Sequence, residues 1–173
     1  MLARDFAQAS VEKMRPFIER TVDALLEEMS HHEGPVDFVE SFAMALPSAM
    51  IAHILGVPAE DTEYFTTRTK AKFNLKAPPE DAVRASAEIR AFLEALVHKR
   101  MQAPADDLIS RLVHEQVVPG HMTHKQCLAT LQLLLEAGHE TTGNMIALGT
   151  LSLLMHPEQK QELVANPTLV PSA

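Results

Sequence analysis

Residues 123–156 read THKQCLATLQLLLEAGHETTGNMIALGTLSLLMH, and this stretch decides the fold. Thr123-His124-Lys125-Gln126 has the Thr-x-x-Gln form of a capping box, which opens a helix. The helix predicted from it runs to about Met155, long against a mean of eleven or twelve residues. It is apolar nearly all round: Leu128, Leu131, Leu133, Leu134 and Leu135, then Met145, Ile146, Leu148, Leu151, Leu153 and Leu154. Such a helix is expected in the middle of a larger helical body. Its centre breaks the rules that the rest obeys. Gly138, Gly143 and Gly149 fall inside one helix, and each costs about 1 kcal/mol relative to Ala. Glu140, Thr141 and Thr142 bring a carboxylate and two hydroxyls to a position expected to be buried, at a cost in desolvation. Local rules broken in the centre of a buried helix mark a functional site. Against this stands a plainer reading: small residues permit tight helix packing, and threonine bonds back to the preceding turn.

Working outward, the period is helical throughout. Val11, Met14, Ile18, Val22, Leu25, Leu26 and Met29 form one apolar stripe. Pro16 is tolerated best in a first turn, so this helix is expected to begin just before it. Val36–Val39 reads as a short strand or loop. An apolar segment over Ser41–Val57 should become regular helix near Pro47 and stop at Gly56 and Pro58. Glu60–Asn74 and Glu80–Met101 read as two further helices, with a proline-containing loop between them. Asp106 or Asp107 can cap a short helix reaching about Glu115. Pro157-Glu158-Gln159 opens a last helix that stops at Asn166-Pro167. The fold class is all-α, with no internal repeat and no low-complexity tract.

Composition narrows the function. The chain has 173 residues, a net charge of −8, no Trp and one Tyr. It therefore lacks both the basic footprint and the stacking platforms of a nucleic-acid binder. There is one cysteine, Cys127, which can form neither an internal disulfide nor a zinc site alone. The first residues, MLARDFAQAS, do not read as a signal peptide, and no run of 18 apolar residues occurs. No metal ligand set is expected. His139-Glu140-Thr141-Thr142-Gly143 starts like a zinc-protease helix, but Gly143 stands where the second histidine is needed. His121, His124, His31 and His32 are expected as exposed, unpaired side chains in loops or caps.

LLLEAGHETT resembles the central-helix motif of the cytochromes P450, Ala/Gly-Gly-x-Asp/Glu-Thr. FIERTVDALLEEM, PVDFVESFAMALPSAMIAHILGVP, DDLISRLV and HPEQKQELVANPTLVP resemble successive blocks of that family in their usual order. The resemblance covers nearly the whole chain. It implies the central helical part of the P450 fold, residues 1–173 forming a partial domain around a long buried helix. It implies haem b as cofactor, with Ala137 and Gly138 lining the oxygen pocket and Gly138 leaving room for a local opening of the helix. Glu140 would relay protons from solvent, and Thr141 would hydrogen-bond the oxygen under activation. Leu134 would face the substrate, with Thr142 and Asn144 as second-rank candidates. The family's cysteine-ligand loop and Glu-x-x-Arg helix are expected beyond Ala173, and its His-x-x-x-Arg pair before Met1. Cys127 lies about 16 Å from Gly138 along the same helix, so it reads as an ordinary buried cysteine and the axial ligand is absent from this chain.

The activity implied is monooxygenation of a small apolar organic substrate by dioxygen, with electrons from a redox partner protein or NAD(P)H, in the cytoplasm. The fragment alone is expected to be inactive. NMIALG and ANPTLVP also resemble the fungal nitric oxide reductase branch of the family, which leaves that chemistry as an alternative. A non-catalytic helical module derived from a P450 is a third reading.

Overall fold

The computed structural model describes residue 2 and residues 6–172, Ala59 and Glu136 as backbone only. Much of the opening stretch read above as no leader thus lies outside the described residues. The elements are α1 (Gln8–Ser30), α2 (Ala45–Leu55), α3 (Thr62–Phe73), α4 (Pro79–Gln102), α5 (Leu108–Leu112), α6 (His124–Met155) and α7 (Pro157–Ala165). Two π-helical turns, Val39–Ala43 and Val113–Val117, and two 3₁₀ turns, Ala59–Asp61 and Pro167–Ser172, join them. Among the described residues there is no strand, as the all-α reading requires. No helix among them is long and apolar enough to cross a membrane.

Local chemistry sets most boundaries. Thr123 Oγ1 accepts from the Gln126 N–H at 3.2 Å, and Gln126 Oε1 accepts from the Thr123 N–H at 2.8 Å, so the capping box forms at the start of α6. Asp107, not Asp106, caps α5, its Oδ1 accepting from the Ser110 N–H at 2.7 Å. Gly56 ends α2 with φ +76°, a conformation that favours glycine.

One expectation fails and another holds in part. Helix α1 does not start at Pro16 but two turns earlier, with the proline as its ninth residue. Met14, on the near side of the proline, belongs to the same half-buried stripe as Ile18, Val22, Leu25 and Met29. Packing of that stripe outweighs the one ladder bond that proline cannot make. Of the strand or loop expected over Val36–Val39, Val36 and Asp37 are loop, and a helical turn begins at Phe38. Asp37 Oδ1 accepts from the Glu40 N–H at 3.1 Å, and Phe38 stacks on Phe42 with ring centroids 5.3 Å apart. An Asx cap and an i,i+4 aromatic pair commit the chain from Phe38 onward to a helical turn.

The core lies between α2, α3, α4, α5 and the first half of α6. Ile51, Leu55, Phe65, Ile89, Leu93, Leu108, Leu131 and Leu135 are among its buried members, each worth about 1.5–3 kcal/mol of transfer free energy. Helix α6 is not buried all round. Its buried row is Cys127, Leu131, Leu135, His139 and Gly143, each four residues from the last. Beyond Gly143 no residue of α6 is buried, and Met145, Leu148, Leu151, Leu154 and Met155 are all at least half exposed.

Candidate functional site

The row at i, i+4 fixes the rotation of α6 about its axis. At Gly143 a Cβ would run into Met44 Sδ and lie 3.0 Å from the backbone oxygen of Ala43. This glycine, rather than Gly138, is where another backbone comes close; a Cβ on Gly138 would meet Ile51 Cδ1 at an ordinary 3.7 Å. One turn before Gly143, the His139 ring stacks on Phe73 of α3, with centroids 4.8 Å apart and planes 13° apart. Small residue and stacked ring together hold α6 against the turn before α2 and the end of α3.

With that rotation set, Ala137, Glu140, Thr141, Thr142 and Asn144 are exposed. The carboxylate of Glu140 and the two hydroxyls are therefore not desolvated in this chain, contrary to expectation. They flank the buried row instead of belonging to it. Thr141 Oγ1 donates to the carbonyl oxygen of Ala137 at 2.6 Å, the back-bond expected of a helical threonine. Helix α6 passes through Gly138 without interruption, so the local opening implied there is not present in this conformation.

An apolar cleft of about 480 Å³ lies alongside. Leu134, Ala137, Gly138 and Thr142 of α6 form one wall, Pro47, Met50 and Ile51 of α2 the other, and Ile18 of α1 an end. The cleft thus joins three of the expected site residues with the second-rank Thr142. Glu140 and Thr141 do not line it.

Sequence reasoning missed His139. It is 2% exposed, and neither ring nitrogen has a hydrogen-bond partner. The signal was present in the spacing, since 139 lies midway between Leu135 and Gly143. Burial pushes its pKa below the ordinary histidine value of 6.5. The unfolded chain then takes up a proton that the folded chain refuses. Stability from the neutral ring is fully present above about pH 6.5 and is lost as pH falls below it, by up to about 1.4 kcal/mol per pH unit. Urea titrations at pH 7.5 and pH 5.5 should show the midpoint falling, and His139→Phe should flatten that fall. An equal fall in the variant would assign the effect to other groups, His53 first, whose pKa burial also lowers.

The order of blocks, the helix and the cleft can be set beside known proteins. No family profile matches the chain. It is 45% identical over 168 residues to cytochrome P450 55A3 of Fusarium lichenicola, covering 96% of this chain and 41% of that protein. It is 40% identical over 174 residues to pentalenic acid synthase of Streptomyces avermitilis, covering all of this chain and 43% of that protein. The crystal structure of CYP105N1 from Streptomyces coelicolor superposes with a TM-score of 0.90 at 39% identity, over 99% of this chain and 43% of that one. Cytochrome P450 MoxA from Nonomuraea recticatena gives 0.91 at 38%, over 96% and 41%. The chain belongs to the cytochrome P450 family. It spans about two fifths of the length of these P450 relatives.

A P450 implies haem iron, and the residues present can be tested against that group. The exposed face around Ala137 offers a small side chain beside an open apolar wall, which suits a flat apolar ligand. A metal ligand is another matter. Cys127 is fully buried in the core row, and burial pushes its thiol pKa up, away from the thiolate that binds metal. The P450 face of α6 would therefore suit an apolar face of that group, and the buried Cys127 thiol does not fit the part of a metal ligand.

Proposed function

We propose that this chain is the oxygen-side part of a haem-thiolate monooxygenase that inserts one oxygen atom into a small apolar organic molecule. The supporting observation is an apolar cleft whose wall is Leu134, Ala137, Gly138 and Thr142, with Glu140 and Thr141 exposed on the same helix and next to Thr142 in sequence. Relatives with names such as mycinamicin VIII C21 methyl hydroxylase and vitamin D3 dihydroxylase support oxygen insertion. The axial cysteine belongs to sequence other than this chain's, since Cys127 is committed to the core. Electrons come from a redox protein or NAD(P)H, and the protein works in the cytoplasm.

Haem, when bound, supplies the oxygen activation and the redox chemistry. The chain's own residues hold and move protons. Ala137 and Gly138 keep side-chain bulk away, so the reacting oxygen can come close to the helix. The Thr141 hydroxyl has one hydrogen and two lone pairs. Its hydrogen is now spent on the Ala137 carbonyl, so the O–H must turn about the Cβ–Oγ bond and give up that bond before it can donate outward. Glu140 is exposed and so can exchange protons with solvent and pass them to the neighbouring hydroxyl, as general acid–base groups do. Leu134 sets the apolar contact that selects the substrate.

The test is the absorption spectrum of the protein carrying its flanking sequence, reduced and exposed to CO. A thiolate-type band, with none for residues 1–173 alone, is the expected result. Haem binding without that band would sink the proposal. The likeness of NMIALG and ANPTLVP to the fungal nitric oxide reductase branch keeps nitric oxide reduction as a second reading. Consumption of nitric oxide with NADH in the absence of dioxygen would favour it over oxygen insertion.

A further inference from the structure

Away from the cleft, α4 and the start of α6 bring two histidines and a glutamate together. His98 and His124 have ring centroids 5.1 Å apart, with planes tilted by 51°. His124 Nε2 lies 3.7 Å from Glu94 Oε1 and is buried without a hydrogen bond. His98 Nδ1 is 2.8 Å from the backbone oxygen of Glu94. A carbonyl only accepts, so Nδ1 carries the ring proton and Nε2 keeps its lone pair. Metal-binding histidines are held in the same way, one nitrogen tied to a backbone carbonyl and the other free for the metal.

We propose that Glu94, His98 and His124 form a surface site for a divalent transition ion of the zinc type, linking α4 to the first turn of α6. The distances suit it. With Zn–N of about 2.0–2.1 Å and tetrahedral angles, two imidazoles on one ion hold their centroids about 5 Å apart and their ligand atoms about 3.3 Å apart. Glu94 and His98 are four residues apart on α4 and so share a face. Among the described residues no three such side chains are already gathered around one point; the ion draws these in by side-chain rotation. The Glu94 carboxylate is 48% exposed and His98 is exposed, leaving access from their side for the ion and for a water as fourth ligand. His124 was expected as an unpaired cap histidine, and His98 was not singled out, because 26 residues separate them.

Isothermal titration of the 173-residue chain with zinc chloride at pH 7.5 tests the site. One equivalent should bind and raise the melting temperature. His98→Ala and His124→Ala should each weaken binding at least ~10-fold, and Glu94→Gln should weaken it less. The double variant His31→Ala/His32→Ala, altering an exposed pair at the end of α1, should leave the affinity unchanged. No binding, or binding that survives both His98→Ala and His124→Ala, or that disappears with His31 and His32, overturns the proposal. All five positions are at or near the surface, and far-UV circular dichroism of each variant separates lost binding from lost folding.

Discussion

Alanine in place of Arg100 is expected to remove about 3–5 kcal/mol of folding stability, against a typical total of about 5–15 kcal/mol. Arg100 Nε donates to Asp107 Oδ2 at 2.6 Å, with the two side chains only 11% and 5% exposed. Its Nη2 donates to the Gly56 carbonyl at 2.9 Å, and its own carbonyl accepts from His114 Nε2 at 2.8 Å. The Asp107 carboxylate meanwhile caps α5 and fills the space where a Cβ on Gly56 would sit. One guanidinium thus ties the ends of α2 and α4 to the start of α5. Removing it leaves a buried carboxylate that keeps, among the described residues, its cap bond. Arg100→Lys should recover only part of the loss, since an ammonium lacks the planar fork that serves both acceptors. Urea denaturation followed by circular dichroism measures this directly. A loss under about 1 kcal/mol would show that the pair behaves like a surface ion pair.

In the haem-loaded parent, Glu140→Gln and Thr141→Ala are each expected to lower substrate oxidation by about 10²-fold or more, within the range of general acid–base catalysis. Both side chains are exposed in this chain, and neither contributes to the core. Haem content and the reduced-CO spectrum should therefore stay unchanged while product formation falls. Glu140→Gln should also alter the dependence of rate on pH and on solvent deuterium, because it removes a proton carrier and keeps the shape. If haem content falls in parallel with rate, the residues hold structure and the proton role is wrong. The two effects should be far from additive, since groups that act as one relay are lost together.

What could be read from sequence was what local chemistry decides. Thr123 with Gln126, Gly56 before Pro58, and the acidic pair before α5 each set a boundary through bonds within a few residues. Pro16 misled because its penalty is local, whereas the stripe from Met14 to Met29 is stabilised by tertiary packing. The site was legible as a composition, LEAGHETT, but its facing was not. A helix apolar on all sides carries no periodicity from which to choose its buried face. That choice came from Gly143 against Ala43 and from His139 against Phe73, contacts between segments 66 to 100 residues apart in sequence. The exposure of Glu140 and Thr141 follows from it.

Helix α6 joins a finished surface to an unfinished one. Up to Gly143 its buried row is seated in a core of its own chain; beyond that it projects Met145, Leu148, Leu151, Leu154 and Met155 outward. The N-terminal turns can therefore be organised by α2, α3, α4 and the Val39–Ala43 turn, while the C-terminal turns depend on whatever surface covers them. Glu140 and Thr141 sit at that junction. During biosynthesis the oxygen-side residues would be set in register by the first part of the chain to fold, before the remaining apolar length of the helix finds its cover.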